Sequence, residues 1–185
     1  AKRELIEHKL ALLSEIGIEP SVIDVDAFAL HNAFELNYPD ALQGMVALLN
    51  VGHGVTNINI LEEGIPILTR DLTLGTRHVR ESLQRERGLG VEEAQALLQG
   101  FDRSPHVDAV LETRGEEIAV GIERAVAFLA SNTRSGASVG SVYVCGGGAR
   151  IPGITEALAG RLRLGVQLAN PLASLTVREG ALGGY

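Results

Sequence analysis

Val142-Tyr143-Val144-Cys145-Gly146-Gly147-Gly148-Ala149-Arg150-Ile151-Pro152-Gly153 holds the firmest structural information in the chain. A short apolar run ends in three glycines, and a helical pattern resumes at Gly153 and continues to Arg163. The run predicts a buried strand over 141–145. Three consecutive glycines are costly to order, so something must need the backbone bare at that point. A flat ring or ribose packed on the backbone is one reason, and a tight strand-to-helix corner is the other. The spacing fits neither Gly-x-x-x-x-Gly-Lys nor Gly-x-Gly-x-x-Gly, which excludes the P-loop and the Rossmann fingerprint here.

A second glycine turn lies upstream, in Asn50-Val51-Gly52-His53-Gly54-Val55-Thr56-Asn57. Met45 to Val51 reads as an apolar strand. Beyond the turn, Val55, Asn57, Asn59 and Leu61 alternate with Thr56, Ile58 and Ile60. Glu62-Glu63-Gly64 is a further turn, and 65–72 reads as a third strand, giving an antiparallel meander. The Gly52-His53-Gly54 turn exposes backbone N–H groups to which a phosphate can come close, and Thr56 and Asn57 add side-chain donors. A plain hairpin that needs glycine for positive φ is the competing reading.

Helical patterns cover 2–16, 26–36, 77–87, 91–98 and 107–131. Gly17 is placed to end the first, and Asp26 to cap the second. Ile18 to Val25 reads as a strand, and Val166 to Leu168 as the last one. Asn37 to Asp40 is a turn. Gly100 to Pro105 and the Ser/Gly-rich 132–139 are loops. Gly115 weakens the long helix by about 1 kcal/mol relative to Ala.

The 185 residues carry a net charge of −7, against a dedicated nucleic-acid binder. Hydrophobic residues make up 45%, which excludes disorder. Aromatics are only 4% with no Trp, so the core must come from Leu, Ile, Val and Ala. The single Cys145 cannot form an intramolecular disulfide and fits a reducing cytosol. It reads as a small core residue. His8, His31, His53, His78 and His106 lack the spacing of a zinc site. Arg77, Arg80, Glu81, Arg85, Glu86 and Arg87 read as a solvated helix face. Glu123-Arg124 is either a buried or a surface charge pair. The chain opens inside a helical pattern without Met, and reads as part of a longer protein.

The order of these pieces resembles the second half of the actin/hexokinase/heat-shock-chaperone ATPase fold. Within that superfamily the chain resembles the PilM family, actin-like proteins of type IV pilus and competence machines. The residues that carry the likeness are Ile23 to Leu30, Leu49-Asn50-Val51-Gly52 with Thr56-Asn57-Ile58-Asn59-Ile60, Thr69-Arg70-Asp71-Leu72, Ile122-Glu123-Arg124 and Gly146 to Gly153.

The resemblance implies an α/β, actin-like ATPase (ribonuclease H-like) fold. Residues 1–40 would be the tail of a first lobe. Residues 41–185 would form the second lobe, with a helical lid at about 76–105. It implies ATP with Mg²⁺, bound between two lobes. Gly52, His53, Gly54, Thr56 and Asn57 would serve the phosphates. Gly146, Gly147, Gly148 and Arg150 would pack on the adenosine. Asn50 stands where relatives often carry the Asp that holds magnesium through water. Gln95 and Leu98 stand where a lid Glu and Lys are usual, and 180–185 does not match the family's closing helix. Glu123 and Arg124 fall on the second connecting helix. The implied function is a cytoplasmic scaffold that binds the tail of an inner-membrane partner, PilN, mainly through the first lobe. At most it would be a weak ATPase. The alternatives are an actin-fold ATPase or kinase, and a cell-division-type polymer.

Overall fold

A computed structural model describes residues 2–100, 105–132 and 138–176. Parts of the loops expected at 100–105 and 132–139, and the segment 180–185 expected to depart from a closing helix, lie outside the described residues.

The first helix, α1 (Arg3–Glu15), ends as its glycine predicts. Gly17 has φ +74° and donates to Ser14 O at 3.0 Å, while Ile18 N donates to Leu13 O at 2.9 Å. These two bonds satisfy the last carbonyls of the helix. The strand expected over Ile18 to Val25 does not form. A β-branched run becomes a strand only beside a partner, and none of these residues pairs with the sheet. Val22, Ile23 and Val25 are 79%, 57% and 53% exposed. Helix α2 (Asp26–Asn37) follows. Asp26 is its first residue and not its cap; Val25 holds the cap position, and Asp24 Oδ1 accepts the Val25 N–H at 2.7 Å.

The meander is β1 (Met45–Val51), β2 (Thr56–Glu62) and β3 (Ile65–Leu72). Helices α3 (Thr76–Arg87), α4 (Val91–Leu98) and α5 (Pro105–Asn132) lead to β4 (Ser141–Cys145). Helix α6 (Ile154–Leu162) and β5 (Gly165–Leu168) are the last of the described elements. The sheet runs β3-β2-β1-β4-β5. Its meander half is antiparallel, while β1, β4 and β5 are parallel. Parallel neighbours need crossovers, and these carry α3, α4 and α5 in one case and α6 in the other.

Both faces of the sheet are covered. On one, Ala47, Leu49, Val51, Ile58, Ile60, Val142 and Val144 pack with Ile118 and Ile122 of α5 and Leu158 of α6. This cluster contains no aromatic residue, as the composition predicts. The other face departs from that expectation. There Phe34 of α2 is buried against Leu48, Leu61 and Tyr143, with Tyr38 packed alongside. The three rings lie 4.7–5.4 Å apart, centroid to centroid.

Two glycines of α5 are notches. A Cβ on Gly115 would stand 2.7 Å from the Cβ of Ala157 in α6. One on Gly121 would strike the Leu72 side chain of β3. The loss of helix propensity at Gly115 thus permits close approach of α5 to α6. Glu123 meets Arg161 of α6 at 3.0 Å, both side chains 42% exposed. A pair this exposed adds little stability.

Candidate functional site

Strands β1 and β4 are adjacent and parallel, with Asn50 opposite Cys145. Their carboxyl ends therefore lie at the same edge of the sheet, the place where open α/β sheets bind ligands. The two glycine turns predicted from sequence emerge there side by side.

The turn after β1 is closed by Gly52 N donating to Val55 O at 3.0 Å. Its carbonyls then accept from the start of α3: Thr76 N donates to Gly52 O at 3.0 Å and Arg77 N to His53 O at 2.8 Å. These bonds satisfy two of the N–H groups that a helix N-terminus leaves unpaired. Gly75 N donates to His78 Nδ1 at 3.1 Å. Thr56 is buried, and its Oγ1 donates to Leu74 O at 2.7 Å. The turn is thus bonded to the first turn of α3.

The three glycines after β4 do different work. Gly146 has φ +83°, and a Cβ there would strike Asn50 Oδ1 and lie 2.6 Å from Val51 O. A Cβ on Gly148 would strike Val51 Cγ1 and lie 2.8 Å from Thr76 Cγ2. Gly147 has nothing within 4 Å of the corresponding point. The corner is tight at its two outer glycines and open at the middle one.

Gly147 opens onto a cavity of about 440 Å³ that is also lined by Thr76, Gln95, Leu98, Gln99, Arg150 and Ile151. That volume lies in the range of small-molecule pockets, about 300–1,000 Å³. The lining offers bare backbone, two carboxamides, a hydroxyl, one guanidinium and two apolar side chains. Such a set suits a flat polar ring, with the cation beside it. Arg150 is exposed, held on a short 3₁₀ turn over Gly147–Arg150.

Of the sequence candidates, Gly147 and Arg150 line the cavity, as do Gln95 and Leu98 of the expected lid stretch. Gly146 and Gly148 stand behind it, against β1. Gly52, His53 and Gly54 do not line it; the carbonyls of Gly52 and His53 accept hydrogen bonds from Thr76 N and Arg77 N at its edge. Thr56 and Asn57 have their side-chain donors engaged elsewhere, Thr56 on Leu74 O and Asn57 on Asp71. Thr76 and Gln99 were not singled out from sequence, and Ile151 only as part of the quoted glycine-rich stretch. Gln99 follows Gln95 by one helical turn, a spacing that places both on one face.

A polar row crosses the same sheet end. Asn50 Nδ2 donates to Asn57 Oδ1 at 3.2 Å, and Asn57 Nδ2 donates to Asp71 Oδ1 at 2.7 Å. The next row repeats the device, with Thr69 Oγ1 donating to Asn59 Oδ1 at 3.1 Å and Asn59 Nδ2 to Ala27 O, also at 3.1 Å. The second row fixes α2 onto the sheet, since Asn59 is 1% exposed and its amide is hydrogen-bonded at both ends.

Burial pushes the Cys145 thiol up from 9.0 to about 11. The neutral thiol is therefore the folded form at pH 8, and the thiolate fraction is about a hundredfold below that of an ordinary cysteine. Labelling by a thiol-specific disulfide reagent at pH 8 is expected to be slower by roughly that factor, and to quicken about tenfold per pH unit up to pH 11. Labelling as fast as in the unfolded chain would contradict the burial.

Among the solved structures that share this architecture, three illustrate it. A chain of a PilM–PilN type IV pilus biogenesis complex superimposes with a TM-score of 0.83 at 22% identity, over 96% of this chain and 51% of that one. The ethanolamine utilization protein EutJ of Carboxydothermus hydrogenoformans gives 0.74 at 22% identity, over 94% and 60%. MreB5 of Spiroplasma citri, bound to AMPPNP, gives 0.67 at 16% identity, over 91% and 60%. These likenesses establish an actin-like fold. The chain spans about half to three fifths of the length of these proteins. A family model for the type IV pilus assembly protein PilM matches residues 1–182. The chain belongs to the PilM family of type IV pilus assembly proteins.

Proposed function

We propose that this chain supplies the second-lobe half of an ATP site in an actin-like scaffold of the type IV pilus machine. The observation that carries this reading is the cavity beside Gly147, where bare backbone, Arg150 and the carboxamides of Gln95 and Gln99 converge. The adenosine would lie on Gly147 with Arg150 beside it, and the phosphates would point toward the amides of the Gly52–Gly54 turn. Nucleotide-bound MreB5 shares the fold, which supports the reading.

The residues present fit a hydrated magnesium ion. Mg²⁺ demands oxygen ligands, keeps several waters and usually borrows phosphate oxygens. Asn50 Oδ1 lies beside Gly146, where the two turns meet. Among the described residues no group of three His, Cys, Asp or Glu could cage a metal ion. Asn50 would thus act through water, and the ion would neutralise phosphate charge. Its neutral carboxamide contributes less than a carboxylate would, in keeping with binding as the main role and hydrolysis as slow at most. Nucleotide would then act by shifting the population of closed lobes.

Residues 1–40 would be the tail of a first lobe in the intact protein and residues 41–185 the second lobe, with α2 bridging the two, since Phe34 and Ala27 are held against the second-lobe sheet. Leu5 and Leu12 of α1 and Ile16 at its C-terminal cap are 57%, 50% and 70% exposed, and α1 buries no residue. Such an apolar face suits packing against the rest of that lobe. The same lobe would take the cytoplasmic tail of a PilN-like membrane protein, in line with the PilM–PilN complex. No helix among the described residues is long and apolar enough to cross a membrane.

Calorimetric titration of Mg-ATP tests the reading. Saturable binding is expected from the intact protein, and binding at least about tenfold weaker, a difference of roughly 1.4 kcal/mol, from this chain alone. Absence of binding by the intact protein would overturn it.

A further inference from the structure

The row Asn50–Asn57–Asp71 has a direction, and its direction is set at one end. A carboxylate only accepts hydrogen bonds, whereas a carboxamide has one accepting and one donating end. Asp71 therefore obliges Asn57 to present its NH₂, at 2.7 Å. The oxygen of Asn57 then faces the other way, and Asn50 must donate to it, at 3.2 Å. The Asn50 NH₂ is thereby turned inward. Its oxygen is left beside Gly146, the glycine whose missing side chain gives it room. Register supports the same relay, since Asn50 is opposite Asn57 on β1–β2 and Asn57 is opposite Asp71 on β2–β3.

We propose that Asp71 is a positioning residue: acting through Asn57, it holds the Asn50 carboxamide with its oxygen, not its nitrogen, toward the corner where the two glycine turns meet. The inference rests on the ATP reading above for its functional meaning. An oxygen there accepts from water bound to a cation, whereas an NH₂ group would repel that cation. Asp71 touches neither nucleotide nor metal in this scheme. It determines which atom of Asn50 faces the water around the ion.

The test exchanges the end groups of the row in the intact protein, using Asn50→Asp, Asp71→Asn and the double variant. Melting temperature without nucleotide is the first readout. Asn50→Asp sets a carboxylate against the Asn57 oxygen, and a drop of several degrees is expected. The double variant moves the carboxylate to the opposite end, so the row reverses with all its bonds kept. Its melting temperature should return to within about two degrees of the parent. Simple additivity of the two single effects would overturn the relay.

The second readout is ATP affinity, measured with Mg²⁺ and with EDTA. In Asp71→Asn the row can run either way, and the Mg²⁺-dependent gain in affinity should fall severalfold while affinity in EDTA stays the same. An unchanged Mg²⁺ gain would overturn the positioning role even if the row itself stands. If the intact parent binds no ATP, the functional reading fails, while the melting data still decide the relay.

Discussion

Gly147→Val in the intact protein is expected to weaken ATP binding by at least about a hundredfold, roughly 2.7 kcal/mol, and to leave the melting temperature nearly unchanged. Nothing lies within 4 Å of the point where a Cβ on Gly147 would stand, so the fold has room for the new side chain. That room is the cavity itself, with Thr76 and Gln95 across it. Two added methyl groups would occupy the surface on which the ring is proposed to lie. Both quantities can be read from one preparation, by calorimetry and by thermal unfolding. Unchanged affinity would remove Gly147 from the site. A large fall in melting temperature would mean that the middle glycine is part of the corner after all.

Gly148→Val is expected to do the opposite, destabilising the fold by about 2–3 kcal/mol through overpacking. Gly148 is buried, and a Cβ there meets Val51 Cγ1, Thr76 Cγ2 and, at 2.9 Å, Val51 O. Two of these atoms belong to β1, the middle strand of the sheet, and the third to the first turn of α3. None is the far end of a flexible chain, so relief requires backbone movement. Chemical denaturation of the variant measures the loss directly, as a shift in midpoint at constant slope. Stability within about 0.5 kcal/mol of the parent, the range of neutral surface changes, would contradict the close approach. The pair of variants separates a glycine required by the ligand from one required by the corner.

Both explanations for the three glycines were visible in the sequence, and each applies to different residues. Gly146 and Gly148 make the tight corner, while Gly147 opens onto the cavity. Sequence could not apportion them, because the contacts come from Val51 and Thr76, about 70 to 100 positions away. Strand positions were most legible where glycines bound an apolar run, as at β1 between Gly44 and Gly52 and β4 between Gly140 and Gly146. They failed at 18–25, where β-branched residues mimic a strand but no neighbour supplies hydrogen bonds. The aromatic cluster of Phe34, Tyr38 and Tyr143 was hidden by composition, since a low total says nothing about where the rings gather. The Asn50–Asn57–Asp71 row is legible only through register. Once Val51 pairs with Thr56, Asn50 falls opposite Asn57, but the Asn57–Asp71 pairing also depends on the second turn and on a register shift at Ile60/Leu61 that the sequence does not show.

Hydrogen–deuterium exchange of the intact protein, with and without Mg-ATP, tests the central claim most directly. The account predicts slowed exchange in three separated segments at once: the Gly52–Val55 turn, residues 95–99 of the α4 end, and residues 146–151. Protection confined to other parts of the protein, with these three segments unchanged, would contradict it.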